Sequence, residues 1–140
     1  MNDTDVRLLG LLRDNAREPA ATLAKKLQVS RATVQNRLSR LEAAGVIVGY
    51  TVRVKPAAGP QRISAITSIS IEGNTTSRVL QALRGDPNVD ALHTTNGRWD
   101  VVAELRADNL EAFDGVLNRI RLIPGIAASE TSIFLSTHKL

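Results

Sequence analysis

Apolar positions recur with a helical period over the first 45 residues of the chain. This pattern predicts a first helix over residues 4–16 and a short second helix that begins near Pro19 and ends at Gln28-Val29. A third helix is predicted between Ser30, which caps its first turn, and Gly45, which ends it. Three helices therefore fit within 45 residues, separated by very short breaks.

From residue 46 the pattern changes to strict alternation. Five apolar side chains share one side of a predicted extended segment, namely Val46, Val48, Tyr50, Val52 and Val54. The following run from Pro56 to Pro60 contains two prolines and a glycine, which favour a linker. We therefore predict an N-terminal domain over residues 1–50, a strand and linker over 51–61, and a second domain over 62–140.

The second domain alternates strand and helix patterns in the order βαββαβ. The predicted elements are strands over 63–71, 89–95, 99–105 and 126–137, with helices over 75–84 and from Asp108 to about 120. The dipeptide Asn96-Gly97 between the second and third strands is a strong signal for a two-residue hairpin turn, because both residues tolerate positive φ. This order is that of the ferredoxin-like split βαβ fold, an α+β architecture.

A sheet of this type is covered by helices on one face only, so its other face needs water or a partner. In the first strand that open face carries Ser64, Ile66, Ser68 and Ser70. This mixed polarity indicates an association surface. Two lobes of about 60 and 80 residues are each marginal alone, which also favours association.

Composition excludes several classes of protein. The chain has 140 residues and no cysteine, so it has neither disulfides nor thiolate metal sites. No apolar stretch approaches the length of a membrane span, and the acidic N-terminus is unlike a secretory signal, so we expect a cytoplasmic protein. His93 and His138 lack partners at metal-ligand spacing, and we expect no metal, no cofactor and no enzymatic activity.

The positive charge is concentrated at the N-terminal end. Residues 1–60 carry ten Lys or Arg and five Asp or Glu, a net +5, while residues 61–140 carry eight and nine, a net −1. The window 20–45 alone has a net charge of +4. This distribution indicates a polyanion-binding element, or alternatively a solvated helical face.

Spacing and charge together indicate a helix-turn-helix, whose second helix enters the major groove of double-stranded DNA. The exposed side of the third predicted helix carries basic and amide groups and no large apolar side chain. The candidates for base-edge contacts are Arg31, Thr33, Gln35 and Asn36. The candidates for phosphate contacts are Arg37, Arg40, Lys25, Lys26 and the helix N-terminus at Ser30.

These residues resemble the Lrp/AsnC, or feast/famine, family of transcriptional regulators, and the resemblance covers essentially the whole chain. Its N-terminal part includes Leu23-Ala24, Val29-Ser30 and Arg40-Leu41-Glu42, and its C-terminal part includes Gly97-Arg98-Trp99-Asp100 and Pro124-Gly125. The resemblance implies a three-helix, winged-like DNA-binding domain joined to a ferredoxin-like ligand-sensing domain. It further implies dimers formed through the C-terminal sheets and the Val46–Val54 strand, assembly to octamers, and a small amino acid bound between dimers.

The resemblance also locates a candidate effector site at the predicted hairpin between the second and third strands. Its residues are Asn96, Gly97, Arg98, Trp99 and Asp100. The Asp100 carboxylate can meet an α-ammonium group and the Arg98 guanidinium a carboxylate, which together would recognise a free amino acid. Arg98 departs from the family pattern and could instead fill the pocket. The alternative is that Asn96-Gly97 is only a turn, Trp99 only core and Asp100 only a surface charge.

Three functions therefore compete. The first is a DNA-binding regulator that responds to an amino acid, or one without an effector. The second is an enzyme or metabolite-binding module that uses its N-terminal part for dimerisation. The third, an RNA-binding protein, is disfavoured because the chain has only four aromatic residues for base stacking.

Overall fold

The computed structural model describes residues 1–55, 59 and 61–139. These residues form two compact units, Met1–Arg53 and Val54–Leu140. Most of the predicted linker lies outside the described residues. Each unit is described below by itself.

The N-terminal unit contains the three predicted helices, α1 (Asp3–Asp14), α2 (Ala20–Leu27) and α3 (Arg31–Ala43). Asn2 caps α1 through a reciprocal pair of bonds with Asp5, in which each side chain accepts the other residue's backbone N–H. Helix α2 follows Pro19, which has an extended backbone conformation and supplies no side-chain cap.

The turn between α2 and α3 is only three residues long. Gln28 adopts a left-handed conformation with φ 57° and ψ 44°, which ends α2 abruptly. Ser30 then accepts the backbone N–H of Thr33 at 3.0 Å and caps α3, as predicted. Gly45, with φ +72°, ends α3 in a Schellman arrangement in which Val46 N–H donates to the Leu41 carbonyl at 2.9 Å.

The core of this unit is small and combines all three helices. The buried apolar residues are Leu8, Leu23, Ala24, Leu27, Val34 and Leu41, with Leu38 and Ile47 partly buried against them. The apolar positions of α3, Val34, Leu38 and Leu41, therefore face inward, and the polar side of the helix remains outside. One carboxylate, that of Asp5, is completely buried beside this core.

The segment after α3 differs from its predicted strand. Within the described residues of a single chain, positions 46–55 form no strand, and Val48 and Val52 are 95% and 80% exposed. A strand needs a neighbour for its backbone groups, and a single chain provides none here. The Tyr50 hydroxyl donates to Glu42 at 3.0 Å, and partial burial together with this carboxylate raises the pKa of Tyr50.

The C-terminal unit has the predicted ferredoxin-like order. Its elements are β1 (Ile63–Ile71), α4 (Thr76–Arg84), β2 (Val89–Thr94), β3 (Val101–Ala107), α5 (Leu110–Arg121) and β4 (Ile126–Ile133). All three pairings in the sheet are antiparallel, and the strand order is β2-β3-β1-β4.

One face of this sheet packs on the helices. Alternate β1 residues, Ala65, Thr67 and Ile69, are buried, whereas Ile66 and Ser68 between them are only partly covered. Thr67 is the one polar residue in this buried row, and its hydroxyl bonds that of Thr131 in the neighbouring strand. The other face of the sheet has no covering element within the described part of the chain.

The connection between β2 and β3 is longer than the predicted two-residue turn. Thr94 pairs with Val101, so six residues form the loop, and neither Asn96 nor Gly97 has a positive φ. The predicted tight turn at Asn96-Gly97 is therefore wrong, although the hairpin itself is present. Side-chain bonds from Thr95 and Asp100 stabilise the wider loop and override the local turn preference.

One smaller difference concerns α5. Asn109, not Asp108, caps the helix by accepting the Ala112 backbone N–H at 2.8 Å. The helix ends before Pro124-Gly125, as predicted, and Gly125 has φ +100°. Among the described residues, no helix is long and apolar enough to cross a membrane.

Gly125 is the most constrained glycine of the C-terminal unit. A Cβ at this position would overlap the Thr75 hydroxyl and lie 2.8 Å from Thr75 Cβ, in addition to the strain of the positive φ. We expect Gly125→Ala to lower the free energy of unfolding by at least about 2 kcal/mol, measured by urea denaturation. The control is Gly115→Ala in α5, where nothing lies within 4 Å and alanine should stabilise by about 1 kcal/mol. Equal effects of the two substitutions would contradict this account.

Candidate nucleic-acid interface and effector loop

The exposed face of α3 carries four of the nine predicted DNA-binding residues. Eight side chains of this helix are exposed, among them those of Arg31, Ala32, Gln35, Asn36, Ser39 and Arg40. Among the side-chain hydrogen bonds and ion pairs of the described residues, Arg31, Gln35, Asn36 and Arg40 take part in none. Their donors and acceptors are therefore available to a ligand.

Thr33 has a different position from these residues. Its side chain is half-buried, and its hydroxyl lies 2.8 Å from the Ser30 hydroxyl at the helix N-terminus. Thr33 thus belongs to the cap of α3. Its hydroxyl can still share one further hydrogen bond, since it has both donor and acceptor capacity.

The predicted cationic residues fall into two groups. Lys25 and Arg40 are exposed and have no described ion pair, whereas Lys26 pairs with Glu18, whose side chain is only 9% exposed. The Lys26 side chain itself is 51% exposed, so its ammonium group can contact a further anion while it remains paired.

Arg37 is held inside the unit. Its Nε donates to Asp5 Oδ1 at 2.6 Å and its Nη2 donates to Asp5 Oδ2, and its side chain is only 22% exposed. The Arg37 hydrogen bonds hold the pKa of the Asp5 carboxyl at about 2, well below its ordinary value, even though burial acts in the opposite direction. The same pairing raises the pKa of Arg37.

The role of Asp5 is missed by motif reasoning, although the sequence contains a signal for it. Asp5, Leu8 and Leu12 follow the i, i+3, i+7 spacing of one helical face, which places a carboxylate on the apolar stripe. A charged residue in such a position requires a partner, because an unpaired buried charge is very costly. Arg37 lies beside the stripe of α3 and provides that partner.

The second predicted site, residues 96–100, forms most of the loop between β2 and β3. Asp100 is its anchor: its Oδ2 accepts the Ile71 backbone N–H at 2.7 Å, and its own N–H donates to the Ile69 carbonyl at 2.9 Å. One oxygen of the carboxylate is thus engaged with the end of β1. The other oxygen, Oδ1, has no partner among the described hydrogen bonds.

The remaining loop residues present polar groups around this anchor. Thr95 donates its hydroxyl hydrogen to the Trp99 carbonyl and accepts the Gly97 N–H at 3.3 Å. The Arg98 guanidinium lies over the Trp99 ring, 5.4 Å from its centroid, and remains exposed. Such stacking orients a guanidinium without consuming its hydrogen-bond donors.

No group of three or more acidic, histidine or cysteine residues in the described chain could hold a metal ion. His93 lies in β2, where its Nε2 is 3.1 Å from Glu104 of β3 on the open sheet face. The two candidate sites consist of hydrogen-bonding and charged side chains.

The two units define a regulator with a helix-turn-helix DNA-binding domain and a second, ligand-binding α+β domain. Residues 1–42 match the AsnC-type helix-turn-helix domain, and residues 64–140 match the Lrp/AsnC ligand binding domain. The chain belongs to the Lrp/AsnC family of transcriptional regulators.

Individual relatives agree with this assignment. An HTH-type transcriptional regulator of Pyrococcus horikoshii is 33% identical over 145 positions, covering 99% of this chain and 95% of the relative. The structure of E. coli AsnC aligns with a TM-score of 0.81 at 25% identity, over 100% of this chain and 95% of that one. A transcriptional regulator of Neisseria meningitidis, solved in complex with L-Met, shares the fold with a TM-score of 0.81 at 22% identity, over 100% and 93% of the two chains.

The lowered pKa of Asp5 predicts a specific acid dependence of stability. The ion pair contributes its full share to the free energy of unfolding at pH values above 3.8, the ordinary pKa of the carboxyl group. This contribution is lost as the pH falls through about 2, the pKa of Asp5 in the folded protein. Asp5→Asn should therefore be less stable than the wild type at pH 7, and the two should converge near pH 2 in urea denaturation. Asp3→Asn, which removes an exposed carboxylate from the same helical turn, is the control. A difference between Asp5→Asn and wild type that persists unchanged at pH 2 would contradict the ion-pair account.

Proposed function

We propose that α3 enters the major groove of double-stranded DNA and reads base edges there. The observation that carries this proposal is the exposed, unpaired row of Arg31, Gln35, Asn36 and Arg40 on a helix whose apolar side faces the core. Arginine matches guanine, and glutamine or asparagine matches adenine, each through two hydrogen bonds. The match to the AsnC-type helix-turn-helix domain supports the same orientation.

Base reading and phosphate binding fall to different residues in this proposal. Arg31, Gln35 and Asn36 lie in the first half of α3 and contact bases, with Thr33 in a secondary position. Arg40, Lys25 and Lys26 contact phosphates, together with the backbone N–H groups at Ser30. Phosphate contacts of this kind supply affinity and register but carry no sequence information.

Two arginine substitutions separate these roles. Arg31→Ala should cost about 1 to 3 kcal/mol on a preferred duplex and change the preference at one base position. Arg40→Ala should weaken binding to all duplexes alike and reduce the log-log salt dependence by about one unit. Both are measured by fluorescence anisotropy over a salt series, with the exposed Arg62→Ala of the C-terminal unit as control. The same loss on every sequence for both variants would refute the division of roles.

The C-terminal unit binds, in this proposal, a small effector that is a free amino acid. The support is the exposed Arg98 cation, the unengaged Oδ1 of Asp100 and the backbone N–H groups of Asn96, Arg98 and Trp99, which donate to no group among the described hydrogen bonds. The L-Met complex of the structurally similar Neisseria protein supports the ligand class. An effector bound here would alter assembly or operator affinity. The competing proposal is a regulator that responds to no small molecule.

A thermal-shift panel of the twenty amino acids tests this proposal. A ligand present at 100 times its dissociation constant stabilises the folded protein by about 2.7 kcal/mol, which is readily detected. Asp100→Asn is the informative variant, because its Oδ1 can still accept the Ile71 N–H while the charge that meets an ammonium group is lost. We expect at least one amino acid to stabilise the wild type and to do so less in Asp100→Asn. Absence of any shift, with DNA binding intact, would favour the regulator without an effector.

We propose further that the protein is a homo-oligomer built from dimers, with an octamer as the expected assembly. The exposed apolar row from Val46 to Val54 provides an unpaired segment that a second copy can complete as a strand. The open sheet face of the C-terminal unit, which includes Ile66 and Ser68, provides a second surface for association.

Charge placed in the apolar row should prevent this association. Val48→Asp is expected to lower the mass measured by analytical ultracentrifugation or to raise the dissociation constant of the assembly at least about tenfold, since a buried unpaired charge is very costly. The control is Leu122→Asp, which changes a residue of similar exposure, 80%, at the end of α5. An unchanged mass for Val48→Asp would exclude this row from the interface.

A further inference from the structure

The Asp5 carboxylate accepts three hydrogen bonds that join two helices. It accepts the Asn2 backbone N–H at 3.1 Å, as part of the α1 cap, and two bonds from the Arg37 guanidinium of α3. Asp5 has no exposed surface at all. The first turn of α1 and the middle of α3 are therefore linked through a single buried group.

Arg37 occupies a particular position around the axis of α3. At about 100° per residue, it lies about 60° from the buried Val34 on one side and about 60° from the exposed Arg40 on the other. A tether at this position fixes the rotation of the helix, and with it the direction in which Gln35 and Asn36 point.

We infer that Arg37 is a positioning residue, which sets the orientation of the reading face of α3 through Asp5, and that it is not a phosphate contact. This inference rests on the proposed function of α3. The sequence predicted that Arg37 contacts a phosphate, but its guanidinium is bonded to Asp5, and this supports a positioning role instead.

The chemistry of the pair suits this task. A guanidinium that donates two parallel bonds to a carboxylate constrains angle as well as distance, which a lysine ammonium does not. Base reading requires side chains to be held within about 0.5 Å and 10–20° of their productive geometry. Loss of the pair therefore affects the distinction between base sequences more than the attraction to phosphates.

The experiment compares two DNA duplexes over a salt series. One is the duplex that the wild-type protein selects from a random-sequence library, and the other is a scrambled duplex of the same length and composition. The variants are Arg37→Lys, Arg37→Gln and Asp5→Asn, with Arg40→Gln as the matched phosphate-contact control. Circular dichroism establishes the folded fraction of each variant.

All three variants at Asp5 and Arg37 should reduce the affinity ratio of selected to scrambled duplex at least about tenfold, with an unchanged salt slope. Arg40→Gln should reduce the slope by about one unit and leave the ratio unchanged. A role in stability alone would lower both affinities together and preserve the ratio. If the single variants fail to fold, the double variant Asp5→Leu with Arg37→Met replaces the ion pair by apolar groups. It should show the same loss in the affinity ratio of selected to scrambled duplex and an unchanged salt slope.

Two results would overturn the inference. One is an Arg37→Lys variant that retains the wild-type ratio, and the other is an Arg37→Gln variant whose salt slope falls by one unit, as for a phosphate contact. Failure of the proposed function has a different signature, because wild type and Arg40→Gln would then show neither duplex selection nor salt-dependent binding.

Discussion

The buried carboxylate of Asp5 is the group on which the geometry of the N-terminal unit depends. Six buried apolar side chains form the core of this unit, and apolar contacts are less directional than hydrogen bonds, so they define the rotation of each helix less sharply. Directional bonds from Arg37 and Asn2 restrict that freedom. A buried pair of this kind adds little net stability but penalises alternative arrangements, because any of them leaves a charge unpaired.

The structure explains why the positive charge of the chain is concentrated in its N-terminal part. The net +5 of residues 1–60 belongs mainly to the helical unit. Lys25, Arg31 and Arg40 remain exposed there, whereas Arg37 forms an ion pair with the buried Asp5. The C-terminal unit, in which residues 61–140 carry a net charge of −1, has a different task. Its polar loop after β2 and its half-covered sheet are surfaces for a small molecule and for other subunits, respectively, in the function we propose.

Short sequence patterns correctly predicted those elements that are stabilised by residues close to them in the sequence. The alternation over 63–71, the Ser30 cap and the Gly45 helix end each appear in the structure where the sequence placed them. The Asn96-Gly97 turn failed because Asp100 forms bonds to Ile69 and Ile71, which are distant in sequence and outweigh a two-residue preference. The predicted Val46–Val54 strand is a further case, because the described residues of one chain provide no neighbouring strand for it. The residues of the Asp5–Arg37 pair are 32 positions apart in the sequence. The only sequence signal for this pair is the helical spacing of Asp5 with Leu8, which places the carboxylate on the apolar side of α1.

The central claim is that the exposed face of α3 contacts DNA and the C-terminal unit does not. The chain has no cysteine, so single cysteines introduced at chosen positions report only on their own surroundings. We would measure the rate of alkylation of Gln35→Cys in α3 and of Ser77→Cys on the exposed side of α4, with and without saturating duplex. Since thiol reactivity depends on exposure, DNA should slow alkylation at position 35 at least about tenfold and leave position 77 unchanged. Protection at position 77 without protection at position 35 would contradict the account.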